Sequence, residues 1–165
     1  MFDRRMISRN LRILTVATAV GAATVGGVLF AFSTFVMKAL RRLPDAEGLA
    51  AMQAINRAAP SPLFMTALFG TAASAVGLGV VAIQRRDDPY STYLLIGAGL
   101  YLAGIVLTIA YHVPRNDALA LVDPTSSGAA ATWHHYVTNW TLWNHVRTLT
   151  SIAGATVLVL ALNAE

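Results

Sequence analysis

Residues 140–163, WTLWNHVRTLTSIAGATVLVLALN, decide the fold, because they decide how often the chain crosses a membrane. The uncharged run 148–164 is at the short limit for a span, which needs about 20 apolar residues. It reaches full length only if its helix begins inside WTLWNHVR, and that puts Asn144, His145 and Arg147 at bilayer depth. Three other stretches need no such extension. Residues 13–37 and 62–84 carry no charge, and 92–113 carry only His112 as a titratable group. Charged residues make up 12 % of the 165-residue chain and hydrophobic residues 56 %. The charged share is about half that of ordinary globular domains. A soluble bundle of buried helices fits this hydropathy pattern poorly. A cleavable signal peptide does not fit the first run, which continues into FSTFVMKAL without a small-residue cleavage site.

The expected architecture is all-α. A single integral membrane domain over residues 1–165 contains spans at 13–37, 62–84, 92–113 and 140–163, arranged as an antiparallel four-helix bundle. In the first connection, LPDAEGLAAMQAINR offers Asp45 as an N-cap and enough good helix formers for a short helix. From Ala129 a helix is expected to run unbroken to Asn163. At 1.5 Å per residue it is about 50 Å long, so its first part forms an extension beyond the bilayer. The chain has no Cys, which excludes disulfides and thiolate metal sites. Its net charge of +4 is scattered and makes no nucleic-acid stripe; anionic lipid headgroups account for it better. Arg4, Arg5, Arg9, Arg12, Arg85 and Arg86 fall on one side of such a bundle. Lys38, Arg41, Arg42, Arg57, Arg115 and Arg147 fall on the other. The even split leaves orientation to the first helix, which favours a cytoplasmic N-terminus.

Small residues recur within the spans: Gly70, Ser74 and Gly77 on one side of the second, Gly97 and Gly104 on one side of the third. Such stripes let membrane helices approach closely. Polar residues gather at one end of the bundle. Ser33, Thr34 and Lys38 close the first span, Gln53, Asn56 and Arg57 precede the second, YHVPRND ends the third, and WNHVRT opens the fourth. All four histidines, His112, His134, His135 and His145, lie at that end, with His134 and His135 expected on the surface before the fourth span.

Arg147 is costly at this depth, and no acid lies three or four residues away. Two outlets are open: snorkelling to headgroups, or facing the bundle to meet an anionic ligand or a partner from another segment. Tyr136, Trp140, Asn144, Arg147 and Ser151 form one helical stripe, suited to a pocket for a flat, partly anionic molecule. Trp140 and Trp143 also fit an interfacial aromatic belt. His112 and His145 are expected at similar depth on neighbouring helices. They suit either a general base or a haem or metal ligand pair, although no HExxH or Glu-x-x-His pattern is present.

The segments FAFSTFVMKALRRLP (30–44), GLAAMQAINRAAPSPLFM (48–65) and WTLWNHVRTLTSIAG (140–154) make the chain resemble the anthrone oxygenase family, small membrane proteins formerly grouped as a domain of unknown function. The resemblance covers roughly residues 12–163. It implies oxidation of a lipophilic phenolic or polycyclic aromatic compound by O2, a monooxygenase chemistry with no established metal or flavin, in a bacterial cytoplasmic membrane. A homo-oligomer is compatible with it. On this chemistry His145 or His112 is the base, Arg147 and Asn144 hold the oxyanion, and Asn56 orients the substrate. Tyr111, Trp140 and Trp143 form the apolar walls. The rival expectations are a haem- or metal-binding redox protein using His112 and His145, and a non-catalytic membrane subunit in which WNHVR packs against protein with no cavity beside it.

Overall fold

The computed structural model describes residues 7–164, so Arg4 and Arg5 lie outside the described residues. Among them there is no strand. Five helices carry the chain: α1 Arg9–Leu40, α2 Asp45–Ala58, α3 Pro62–Gln84, α4 Ser91–Ala120 and α5 Ala129–Ala161. Helices α1, α3 and α4 are long and apolar enough to cross a membrane. Helix α5 has 33 residues and begins where the sequence places it, at Ala129.

Local signals set the ends. The Ser8 Oγ accepts from the Leu11 N–H at the start of α1, and the Ser61 Oγ accepts from the Phe64 N–H at the start of α3. Pro62 takes the first turn of α3, where its missing N–H costs nothing. Helix α2 starts at Asp45 itself, with Pro44 in the cap position, one residue earlier than an Asp45 cap implies. Between α3 and α4 the turn is closed by the Tyr90 hydroxyl. It donates to Asp88 Oδ2 at 2.7 Å and accepts from Arg85 Nη1 at 3.2 Å. Burial raises the pKa of this phenol above its ordinary value.

The long helices pack α4 on α5, α1 on α5, α3 on α4 and α1 on α3. Helices α4 and α5 approach closely. A Cβ added at Gly154 would lie 2.9 Å from the Gly97 carbonyl oxygen and 3.2 Å from the Tyr101 backbone nitrogen. Only glycine fits there, so the stripe expected on the third span is a packing surface. The stripe expected on the second span is not. A Cβ at Gly77 meets nothing within 4 Å, and one at Gly70 meets only Thr66 of its own helix. The buried face of α3 is instead Thr71, Ala72, Ala75, Leu78 and Ala82. Lipid is as apolar as a packed helix, so small residues can face outward without a signature in the sequence.

Two apolar clusters fill the interior. One lies among the long helices and includes Leu29, Leu68, Leu94, Tyr101 and Leu158. The other lies beneath α2 and includes Met37, Leu49, Met52, Leu119, Trp133 and Trp140. Helix α2 is held over this end by Gln53, whose Nε2 donates to the Leu119 and Val122 carbonyls, both at 2.9 Å. These carbonyls lie at the C-terminal end of α4, where the helix ladder runs out; that of Leu119 also accepts from the Val122 N–H at 3.1 Å.

Each of the three candidate spans contains one five-residue π turn: Phe32–Val36 in α1, Thr66–Gly70 in α3 and Thr108–His112 in α4. A π turn widens the helix and exposes carbonyls, and such turns occur frequently at functional sites. The Tyr101 hydroxyl donates to the Leu68 carbonyl inside the α3 turn at 2.9 Å.

Candidate functional site

A cavity of about 480 Å³ lies where the two apolar clusters meet, within the size range of small-molecule sites. All three π turns reach it, through Phe32, through Leu68 and Phe69, and through Thr108, Ile109 and His112. Met52, Ile55 and Asn56 of α2 cover it, and Trp140 and Arg147 of α5 form its inner wall. The lining is mostly apolar, with Asn56, Thr108, His112, Asn116 and Arg147 as its main polar groups.

Arg147 is 6 % exposed. Its Nη1 donates to Asn144 Oδ1 at 3.2 Å, one helical turn back. Its Nε is buried without a hydrogen-bond partner. Among the described residues the one basic side chain within 4 Å of a carboxylate is His134, whose Nε2 lies 3.2 Å from Asp45 and away from the cavity, so none of their carboxylates neutralises Arg147. A buried guanidinium without a counter-charge is expensive, and an acceptor arriving in the cavity offsets that cost. The side chain faces the bundle interior and does not snorkel.

Asn144 is fully buried but does not line the cavity. Its Nδ2 donates to the Leu29 carbonyl at 2.8 Å and to Ser33 Oγ at 2.9 Å, both on α1. With its oxygen on Arg147, the amide ties α1 to the guanidinium. Asn144 therefore positions Arg147, where the family resemblance implies direct contact with an oxyanion.

His112 is 1 % exposed and lines the cavity. Its Nδ1 lies 3.4 Å from the Leu107 carbonyl oxygen and its Nε2 lies 3.4 Å from that of Trp140. A neutral imidazole donates through one nitrogen only, so a proton taken up by the other meets a carbonyl acceptor. His145 is elsewhere. It is exposed on the outer face of α5, one residue and thus about 100° around the helix from Asn144. The two histidines do not face each other, which corrects the expectation of a pair at one site.

The aromatic residues divide in the same way. Trp140 is buried between Phe32, at 5.9 Å between ring centroids, and His112, whose ring meets it edge-on at 5.2 Å. Tyr111 and Trp143 pack together at 5.2 Å but do not line the cavity. The Arg115 guanidinium lies 3.4 Å above the Tyr111 ring, so these three form an outer cluster of the kind found at a membrane interface. The cavity wall expected from Tyr111 and Trp143 is supplied instead by Phe32, Phe64, Leu68 and Ile109.

Asn56 lines the cavity, and its Nδ2 donates to the Tyr136 hydroxyl at 3.4 Å. That hydroxyl donates to Asn116 Oδ1 at 2.8 Å, and Trp140 Nε1 donates to the same oxygen at 3.0 Å. Tyr136 precedes the apolar part of α5, and burial raises its pKa, so it remains a donor. The sequence alone does not single out Asn116. Its position four residues after His112, on the same helical face, is the one signal it carries.

Among the described residues, no group of three or more His, Asp or Glu side chains has the arrangement of a metal site. A family model described as anthrone oxygenase matches residues 56–157, which include Asn56, His112, Asn116, Trp140, Asn144 and Arg147. No curated protein and no solved structure matches the chain.

Proposed function

The chain belongs to the anthrone oxygenase family, and from that premise we propose a four-span membrane oxygenase that oxidises a phenolic or polycyclic aromatic compound with O2. The observation that carries the proposal is Arg147, a buried guanidinium with no carboxylate partner among the described residues, facing an apolar cavity that it shares with His112. The fourth crossing is residues 140–163, nearly all of them in α5, whose hydropathy is diluted by the site residues themselves. The orientation puts the N-terminus in the cytoplasm of a bacterial cell.

The chemistry follows from the substrate class. Removing a benzylic proton from an anthrone leaves an aromatic phenolate, so the C–H is acidic enough for a histidine base. His112 takes this proton on the ring nitrogen that gives up its 3.4 Å contact with a backbone carbonyl. Arg147 donates to the oxygen on which the negative charge settles, in a site from which water is excluded. The electron-rich anion then gives one electron to O2, and the resulting radical and superoxide combine at the former C–H carbon. The peroxide formed loses water as the second C–H proton leaves and the O–O bond breaks. One oxygen atom remains as the new carbonyl and the other departs as water. The substrate supplies all the electrons, so the balance needs no external reductant. Asn56 and Asn116 orient the aromatic system, and Trp140 provides a flat wall.

The test is turnover of an anthrone under air by purified protein, corrected for spontaneous autoxidation. Arg147→Leu is expected to insert normally and to lose on the order of a hundredfold in rate, about 3 kcal/mol of transition-state stabilisation. Arg147→Lys keeps the charge but loses the planar fork, and should be impaired in the same direction. With isotopically labelled O2, one label should appear in the quinone. Full turnover by Arg147→Leu would sink the proposal.

A further inference from the structure

A second cavity, of about 360 Å³, lies at the end of α1 that faces the same side of the protein. It is lined by Ser33, Thr34, Met37, Lys38, Arg41, Arg42 and Thr141. We propose that this cleft is an anion site that holds a phosphate group on Lys38, Arg41 and Arg42. Three observations support it.

The first is the placement of charge. Lys38, Arg41 and Arg42 are spaced i, i+3 and i+4, so the helix end presents them on one face, with Thr34 one turn below. The second is that these cations lack an anionic partner. None has a carboxylate within salt-bridge distance among the described residues. By contrast, Arg115 lies over Tyr111 and Arg85 donates to Tyr90. The third is depth. The uncharged run 13–37 stops one residue before Lys38, so the cleft opens at the level where bilayer phosphates lie. The Thr34 and Thr141 hydroxyls line the cleft but donate to the Phe30 and Val137 carbonyls of their own helices, at 2.7 and 2.6 Å, so the three cations are its donors to a phosphate.

The phosphate has two sources, an anionic lipid headgroup or free phosphate, and both use the same cations. Ser33 belongs to this cleft and also accepts from the Asn144 amide, so one hydroxyl separates the anion site from the residue that positions Arg147. The proposal does not depend on the oxidative chemistry.

The experiment is native mass spectrometry of the full chain released from detergent, titrated with phosphatidylglycerol, phosphatidylcholine or inorganic phosphate. The wild type should retain phosphatidylglycerol in preference to phosphatidylcholine. Arg41→Gln with Arg42→Gln should weaken that retention on the order of tenfold, given roughly one charge-pair contribution per basic residue. Arg85→Gln with Arg86→Gln, at the opposite end, should leave it unchanged. If inorganic phosphate displaces the lipid, the site takes free phosphate; if it does not, the site takes the headgroup. Should the double variant fail to fold, Lys38→Gln is read in the same assay and should show a smaller loss in the same direction. Retention by a folded Arg41→Gln/Arg42→Gln or Lys38→Gln protein equal to the wild type overturns the proposal, as does equal loss in the Arg85→Gln/Arg86→Gln control.

Discussion

Arg147 and Asn144 lie one turn apart on α5 and are joined at 3.2 Å, and the amide that steadies the guanidinium is itself bonded to Leu29 and Ser33 of α1. The geometry of the buried cation in the cavity is thus set by the contact between two helices.

Asn144→Ala removes three hydrogen bonds but should cost little stability. Interhelical polar contacts in membranes contribute only about 0.6–2 kcal/mol, because the separated helices find other partners. Turnover should fall much further than stability, since Arg147 loses its orientation. Unfolding in mixed micelles and anthrone turnover, measured on the same preparation, separate the two effects. A rate loss no larger than the loss of folded protein would show that Asn144 is structural only.

Gly154→Ala should destabilise the fold by about 1–3 kcal/mol, the usual cost of overpacking. Its new methyl group meets the Gly97 carbonyl and the Tyr101 nitrogen, and backbone atoms cannot turn aside. Gly77→Ala should be neutral or slightly stabilising, because the added group meets nothing and alanine is the better helix former. Equal stability of the two variants would contradict the α4–α5 contact.

Tyr101→Phe should lower stability by about 1 kcal/mol or less, as the Leu68 carbonyl in the π turn of α3 loses one of two donors and keeps the Thr71 N–H. Leu68 lines the cavity, so substrate affinity should weaken as well. An unchanged midpoint in micelle unfolding would mean that this carbonyl is satisfied from elsewhere.

The chain has no cysteine, so single-cysteine variants can be labelled without background. Ala46→Cys and Ser127→Cys should react with an impermeant reagent from one side of the membrane and Asp87→Cys from the other. Labelling of all three from the same side would refute four crossings.

Much of α5 is legible in the sequence. Spacing alone puts Tyr136, Trp140, Asn144, Arg147 and Ser151 on one stripe, and all five are buried. That stripe lies in uninterrupted α-helix, where a period of 3.6 holds. The same period fails in α4, where the π turn Thr108–His112 adds a residue and rotates the rest of the helix. This is one reason that spacing from the residues before the turn does not predict which way His112 and Asn116 face. The outward positions of His145, Gly70 and Gly77 are hidden for another reason. Hydropathy separates inside from outside only where the outside is water, and around a membrane helix it is not. The amide–phenol network of Asn56, Tyr136 and Asn116 joins three helices, and no local pattern announces such a contact.

The 480 Å³ cavity has a boundary with a kinetic meaning. Its lining includes Val28, Phe69, Ile109 and Val113, and each of these is also an outward-facing apolar residue, between 38 % and 55 % exposed. In a bilayer those side chains touch acyl chains, so the cavity borders the hydrocarbon phase as well as the helix interior. A lipophilic molecule then meets the site by two-dimensional diffusion, and the saturating quantity is its mole fraction in the membrane. A Michaelis constant expressed per volume of buffer would change with the amount of lipid in the assay, while one expressed per lipid would stay constant.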